Sequence, residues 1–574
     1  MKRLLSYLKK YKTAALLAVL CIILETFLEL IIPLIMADMV DTGIATANQS
    51  YIFQRGLLMG VCALAALILG TGSARFAAVC GQGAGAEIRK DEYRKLQQFS
   101  FSNTDRFRTS SLVTRLTGDV TNIQNSISSG LRPAFRAPVM MITAVGVSFY
   151  INKELAAVFL VAAPALGILL FLIIRRVRPL YSKMQKSVDL VNRIIQENLA
   201  AIRVVKAYVR GDYELAKFEE VNLGLQTTSE KAFRTASLNM PAMQLVMYAT
   251  ILCILWFGGD LVSSGGLRVG ELTGFLSYVL QVLNSLMMIS NVFMMFTRSI
   301  ASWRRICEVM DEKIDITEEH AKNISVTRGE IIFDHVFFKY SKNAREYVLS
   351  DICLHIEPGQ TVGIIGRTGA AKSTLVQLIP RLYDATEGSV LIDGHPVQDY
   401  PLKPLRDSIA MVLQKNTLFS GTVKENLLWG REDASQEEIE EACRIACVDE
   451  FIERLEKGYD TDLGQGGVNV SGGQKQRLCI ARALLKKPRV LILDDSTSAV
   501  DTATEARIRE GLANHLPQTT KIMIAQRISS VFHADKIIIL EDGRIHAAGT
   551  HRELLANDSI YQEIYRSQQE GVAL

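Results

Sequence analysis

The chain has 574 residues, 49% of them hydrophobic, with a mean hydropathy of +0.17 and a formal net charge of +4. That length exceeds a single domain, that hydropathy is high for a wholly soluble protein, and so small a charge gives no electrostatic case for a nucleic-acid surface. Nine scattered cysteines without a CxxC pair argue against a disulfide framework or a zinc site, and Cys443 and Cys447, i and i+4 on an expected helix, read as core packing.

The N-terminal "MKRLLSYLKKYK" is basic and amphipathic and no A-x-A-like cleavage site follows, so it reads as an interfacial helix leading into the first span. Six apolar stretches, at about 13–36, 56–80, 131–151, 154–176, 238–259 and 270–297, each reach the roughly 20 residues that a bilayer-spanning helix needs. The loop after the second span carries Arg89, Lys90, Arg94, Lys95, Arg106, Arg108 and Arg115, and the one after the fourth is similarly basic. The opposite loops hold little more than Arg55, Lys153 and Arg268, so the positive-inside rule puts both termini and the two long loops in the cytoplasm. Helical periodicity in those loops predicts that the spans continue as helices into the cytosol.

Two features of the spans bear on substrate. Glu25 and Glu29 lie i,i+4 on one face of the first span. Ionisable groups at that depth cost roughly 2.5–3.5 kcal/mol each, so they either form an acidic wall for cationic amphiphiles or are neutralised in the bundle, with Arg75, Arg132 and Arg136 as candidate partners. The last span carries Asn284, Met287, Met288, Asn291, Met294 and Met295, a flexible surface of the kind promiscuous binders use, although packing and lipid contact account for methionines more simply.

Residues 1–312 thus form a six-helix, all-α membrane domain, 313–326 a polar linker, and 327–574 a soluble α/β domain in which short β-branched runs alternate with amphipathic helices. After the strand "QTVGII" comes "GRTGAAKST", with Gly366, Thr368, Gly369, Ala370, Ala371, Lys372, Ser373 and Thr374, and then an amphipathic helix. This is the frame of a phosphate-binding loop: backbone N–H groups at a helix N-terminus cradle phosphates, Lys372 reaches the outer phosphates and Ser373 ligates Mg²⁺. The pattern asks for glycine before the lysine, where Ala371 stands. Further on, "VSGGQ" sets Ser471, Gly472, Gly473 and Gln474 at a helix start, where free amides suit an anion. The strand in "VLILDDSTSAVD" then delivers Asp494 to the metal, with Asp495 beside it.

In that order these motifs resemble the ABC transporter family across essentially the whole chain, most closely a type IV (exporter-fold) half-transporter and the degenerate-site subunit of a bacterial heterodimeric multidrug exporter. The resemblance implies a P-loop domain with a RecA-like core, an antiparallel β subdomain and a helical subdomain, using ATP and Mg²⁺. It implies that Tyr340 stacks on adenine, that Gln414 links Mg²⁺ to the membrane half, that Ser471–Gln474 form the signature, and that "SAVD", ending in Asp501, is the loop facing another subunit. It also implies coupling helices near "NTDRFRTSSLVTRL" and "VRGDYELAKF".

Three positions depart from the family pattern. The catalytic glutamate is replaced by Asp495, the switch histidine by Gln526, and the phosphate-loop glycine by Ala371. A base must come within about 2.6–3.2 Å of its proton, and glutamine cannot carry histidine's proton or charge. The expectation is therefore a chain whose own ATP site hydrolyses slowly or not at all and whose intact signature completes the site of a different partner subunit. Its substrate is expected to be a small amphiphilic compound and its surroundings the lipid of a bacterial cytoplasmic membrane. The alternatives are an exporter of a lipid, peptide or metal complex, or a regulatory, gating subunit; the absence of a cysteine-peptidase segment before the first span disfavours a processing peptide exporter.

Overall fold

The computed structural model describes residues 2–319, 321–341, 343–496 and 499–570, apart from the side chains of Lys2, Ser290, Met294 and Glu570. Met294 of the last-span series therefore lies outside the described side chains, and Ser498 of "SAVD" outside the described residues. The chain divides into two compact units, Met1–Gln97 with Thr109–Asp311, and Gln98–Arg108 with Glu312–Leu574.

Among the described residues the first unit contains six helical segments long and apolar enough to cross a membrane: Lys12–Ile44, Gln49–Gln97, Thr109–Ile151, Lys153–Ala200, Gly211–Ser263 and Val269–Met310. Each of the six apolar stretches falls within one of them. At 1.5 Å per residue the 49-residue Gln49–Gln97 helix is about 70 Å long, more than twice a hydrocarbon core of about 30 Å, so it continues well past the apolar stretch. Apolar side chains such as Leu64, Leu67 and Ile68 point outward, as lipid-facing groups do, while Phe275, Tyr278 and Leu283 of the last helix pack inward against Leu30, Phe159 and Leu166. The Tyr278 hydroxyl is satisfied by donating to the Leu30 carbonyl at 2.6 Å.

The acidic pair of the first span is neutralised. Glu25, 3% exposed, pairs with Arg132 and, at 3.5 Å, with Arg136, which also reaches Glu29 at 2.6 Å. Gly70 leaves the room for this: a Cβ there would sit 3.0 Å from Glu25 Oε1. The arginines at the start of the third span thus favour the second of the two readings of Glu25 and Glu29, and Arg75 is not among the residues paired with them. In the last helix Asn284 and Asn291 are exposed, whereas Met287 packs against the bundle core.

Among its described residues the second unit holds two sheets. Strands β1 (Ile331–Phe338), β2 (Leu349–Ile356), β4 (Glu387–Ile392) and β5 (His395–Pro396) form an antiparallel sheet in the order β2-β1-β4-β5. Strands β3 (Thr361–Ile365), β6 (Ile409–Val412), β7 (Val490–Asp494), β8 (Thr520–Ile524), β9 (Lys536–Glu541) and β10 (Arg544–Gly549) form the other, in the order β10-β9-β3-β8-β7-β6. All its pairings are parallel except β9 with β10, which are joined by a tight turn at Asp542 and Gly543, both at positive φ. Every residue of β7 is buried, which is why it reads as an unbroken apolar run.

A helical lobe built from Val423–Leu428, Gln436–Ile445, Asp449–Ile452 and Gly472–Leu485 shares a second core that includes Cys443 and Cys447, both buried and free. The short helix Phe101–Arg106, within the first stretch expected to couple the two halves, folds with this unit. It is capped reciprocally by Ser100 and Asn103 and held by the Tyr383 hydroxyl, which donates to Asp105 at 2.6 Å, and by an edge-on contact of Phe101 with Tyr383. Before the second such stretch the chain forms a short helix, Ile202–Ala207, and a longer one begins at Gly211.

Candidate functional site

In a parallel sheet, loops leaving the carboxyl ends of neighbouring strands converge, and ligands bind there. Here β3, β8, β7 and β6 are consecutive neighbours. The phosphate loop follows β3, Gln526 follows β8, Asp494 ends β7 with Asp495 next, and Gln414 follows β6. Strand order therefore gathers residues spread over 160 positions of sequence.

The phosphate loop turns sharply at Gly366, whose φ is +155° and where a Cβ would meet the Leu540 carbonyl oxygen at 2.1 Å. Ala370 is buried, and Thr368 and Gly369 are exposed on the loop's crest. Ala371 stands directly before the helix Lys372–Gln377 with φ +67° and ψ 25°, the left-handed region that disfavours any Cβ. The Lys372 ammonium donates to the carbonyls of Gly366 and Arg367 at 2.7 and 3.0 Å, spanning the loop. Burial lowers its pKa, and the charges of Asp495 and Asp494 partly offset this. The Thr374 hydroxyl bonds that of Tyr340 at 2.9 Å, and the Tyr340 ring stands edge-on to Phe338 and Tyr383 with 48% of the residue exposed, able to offer a face to a flat ligand.

Ser373 Oγ donates to Asp494 Oδ1 at 2.9 Å. Burial pushes the Asp494 carboxyl up from its ordinary range, and repulsion from Asp495 adds to it. A hydroxyl and a buried carboxylate side by side, with a second carboxylate next to them, are oxygen donors of the kind that fit a hard divalent cation such as Mg²⁺. Asp495, at φ +49°, accepts from the Gln526 carboxamide at 2.8 Å and is also hydrogen-bonded by Gln414. Burial raises its pKa as well, against the pull of Gln526, Lys372 and Gln414.

The signature residues gather elsewhere on the unit. Ser471 caps the helix Gly472–Leu485, its hydroxyl accepting from the Gln474 N–H at 3.3 Å while Gln474 Oε1 accepts from the Ser471 N–H at 2.8 Å. A Cβ on Gly473 would come within 2.7 Å of the Ala499 carbonyl, so glycine lets the loop after β7 lie against this helix end. Asp501 caps the next helix, Thr502–His515, by accepting from the Thr504 N–H at 2.9 Å, which holds its carboxyl below the ordinary range. The side-chain hydrogen bonds of Ser471 and Gln474 thus run to each other, whereas those of the phosphate loop run within the loop and to Asp494 and Tyr340. One contributor has no local sequence signal: Gln568, on the C-terminal helix, bonds the backbone on either side of Arg527.

Six membrane-length helices joined to a phosphate-loop unit are the parts of a membrane transporter that carries its own ATPase. The chain belongs to the ABC transporter family: residues 15–286 match the family's transmembrane region and residues 349–498 its ABC transporter domain. It is 40% identical over 568 residues to YfiB of Bacillus subtilis, an uncharacterized ABC transporter ATP-binding protein, covering 99% of this chain and 98% of that one. It is also 35% identical to a Staphylococcus aureus ATP-binding/permease protein named as a candidate for multidrug export, over 84% of this chain and 83% of that one. Among solved structures it resembles a bacterial Atm1-family ABC exporter with ATP bound, with a TM-score of 0.84 and 25% identity over 98% of this chain and 99% of that one. The fold is therefore that of an ABC exporter, a transporter built with an ABC ATPase domain.

Proposed function

We propose that the chain is one of two unlike subunits of an ATP-driven exporter of amphiphilic compounds, that its own Walker site holds nucleotide with little or no hydrolysis, and that Ser471–Gln474 complete the partner's catalytic site. The reading rests above all on the Asp495–Gln526 pair. A carboxylate one methylene shorter than glutamate has less reach, and it accepts hydrogen bonds from two side-chain amides, which can neither accept a proton from water nor carry a charge. Ala371 adds strain in the phosphate loop. Two copies of this chain would pair two poor sites, so the intact signature has its use opposite a different subunit.

Within the site, Ser373 and Asp494 would hold Mg²⁺, which when bound neutralises phosphate charge. Lys372 and the loop amides orient the outer phosphates, Tyr340 offers its ring to the base, and Gln414 stands beside Asp495 where it can report occupancy to the membrane half. Both termini and the long loops lie on the cytoplasmic side of a bacterial plasma membrane in this reading. The Staphylococcus aureus relative's name favours drug-like cargo, and the neutralised Glu25 and Glu29 favour no selection for cations. The decisive experiment is ATPase and vesicle transport of the chain co-purified with its partner. Changing the partner's catalytic glutamate should abolish both, and hydrolysis persisting at this chain's site would overturn the assignment.

A further inference from the structure

The sheet stops supporting the chain just before Gln526. The last pairing is the Ala525 N–H with the Ile364 carbonyl at 3.2 Å, and beyond it the backbone needs other partners. Gln568 supplies them. Its Nε2 donates to the Gln526 carbonyl at 2.9 Å, and its Oε1 accepts from the Ile528 N–H at 2.8 Å. One carboxamide that satisfies a C=O and an N–H two residues apart does the work of a neighbouring strand. The Gln526 side chain, carried on that backbone, then donates to Asp495.

Other contacts also dock the C-terminal helix. Ser559–Glu570 is anchored by Tyr561, which is fully buried, and by Ile564 and Tyr565 on the core beneath β9, while the Asp558 side chain accepts from the Tyr561 N–H at 2.7 Å. Gln568 is thus free to specialise, and its two bonds both fall on the segment that carries Gln526.

We propose that Gln568 is a positioning residue for this chain's nucleotide site: it clamps residues 526–528 so that Gln526 stays on Asp495, and the C-terminal helix thereby sets how firmly the site retains ATP. This rests on the assignment of Gln526 to the nucleotide site. It also makes the C-terminal helix a handle through which a binding partner or a truncation alters nucleotide retention without touching nucleotide.

The test is photolabelling of this chain by 8-azido-ATP with Mg²⁺, in the full-length transporter reconstituted in lipid nanodiscs, for wild type, Q568A, Q568E, Q526A and the double substitution Q568A/Q526A. Loss of two hydrogen bonds to fixed backbone is expected to lower retention about three- to tenfold in Q568A, with the thermal unfolding profile kept. Q568E, which keeps an acceptor for Ile528 and loses the donor, should fall between, and serves as the reading if Q568A does not fold. Because the effect passes through Gln526, Q568A should add nothing in the Q526A background. Retention unchanged in Q568A but lowered in Q526A overturns the clamp alone. No effect of Q526A overturns the site assignment and the clamp with it, and additive effects of the two substitutions place the action of Gln568 elsewhere and overturn the clamp.

Discussion

The Gln526 carboxamide donates to Asp495 Oδ2 at 2.8 Å, joining the ends of the neighbouring parallel strands β8 and β7. Glutamate and histidine at these two positions would give a base and a titratable donor; aspartate and glutamine give a closed hydrogen bond. In the assembled transporter D495A is therefore expected to leave most ATP hydrolysis intact. With the partner's site inactivated, D495E/Q526H should raise the residual rate roughly 10²-fold, the usual worth of a positioned acid–base group, measured by phosphate release. Near-complete loss of hydrolysis in D495A would refute the degenerate site.

Ala371 sits at φ +67°. An L-residue there costs roughly 1–2 kcal/mol, while glycine's extra freedom in the unfolded chain costs about 0.4–1 kcal/mol, so the strain term wins. A371G is expected to stabilise the second unit by about 1 kcal/mol or less, raising its melting temperature by roughly 2–4 °C at most, and to tighten ATP binding several-fold. A lower melting temperature in A371G, read by differential scanning fluorimetry, would show that the methyl is accommodated without strain.

Asp494 and Asp495 both lie above the ordinary carboxylate range, burial being the first cause at each. A raised carboxyl is ionised only at higher pH, and only the ionised Asp494 is a good ligand for Mg²⁺. Affinity for Mg-ATP should accordingly begin to fall at a higher pH on acidification than it would with an exposed aspartate as the ligand. D495N removes the repulsion on Asp494 and should move that loss to lower pH. Titration with a fluorescent ATP analogue at stepped pH checks the sign; the same midpoint in both proteins contradicts it.

Glu25 is buried against Arg132 and Arg136. Breaking such a pair strands a charge, and since Arg132 keeps 38% side-chain exposure the cost belongs at the low end, about 3 kcal/mol for E25Q. Because the acids are compensated, E25Q/E29Q should reduce transport of a cationic and a neutral dye equally. Selective loss of the cationic dye would restore the idea of an acidic wall.

The spans, the phosphate loop, the signature and the burial of β7 are legible in the sequence because each is signalled by contiguous residues: an apolar length, a glycine spacing, an unbroken β-branched run. The departures Ala371, Asp495 and Gln526 are equally plain, since each is one letter in a fixed frame. What Ala371 does is another matter, because a residue's φ is set by the loop that holds it. Sequence could name Arg132 and Arg136 as candidates for Glu25 but not choose them, since ion pairing depends on which faces of two helices about 107 positions apart meet.

The sequence by itself determined the class of protein and the residues available to its chemistry, through signals that need only local periodicity and spacing. Tertiary structure alone decided which of those residues meet. The order β3-β8-β7-β6 brings Lys372, Gln526, Asp495 and Gln414 to one sheet edge, and helix docking sets Gln568 on the backbone beside Gln526, because hydrogen bonds act over about 3 Å of space whatever their separation along the chain.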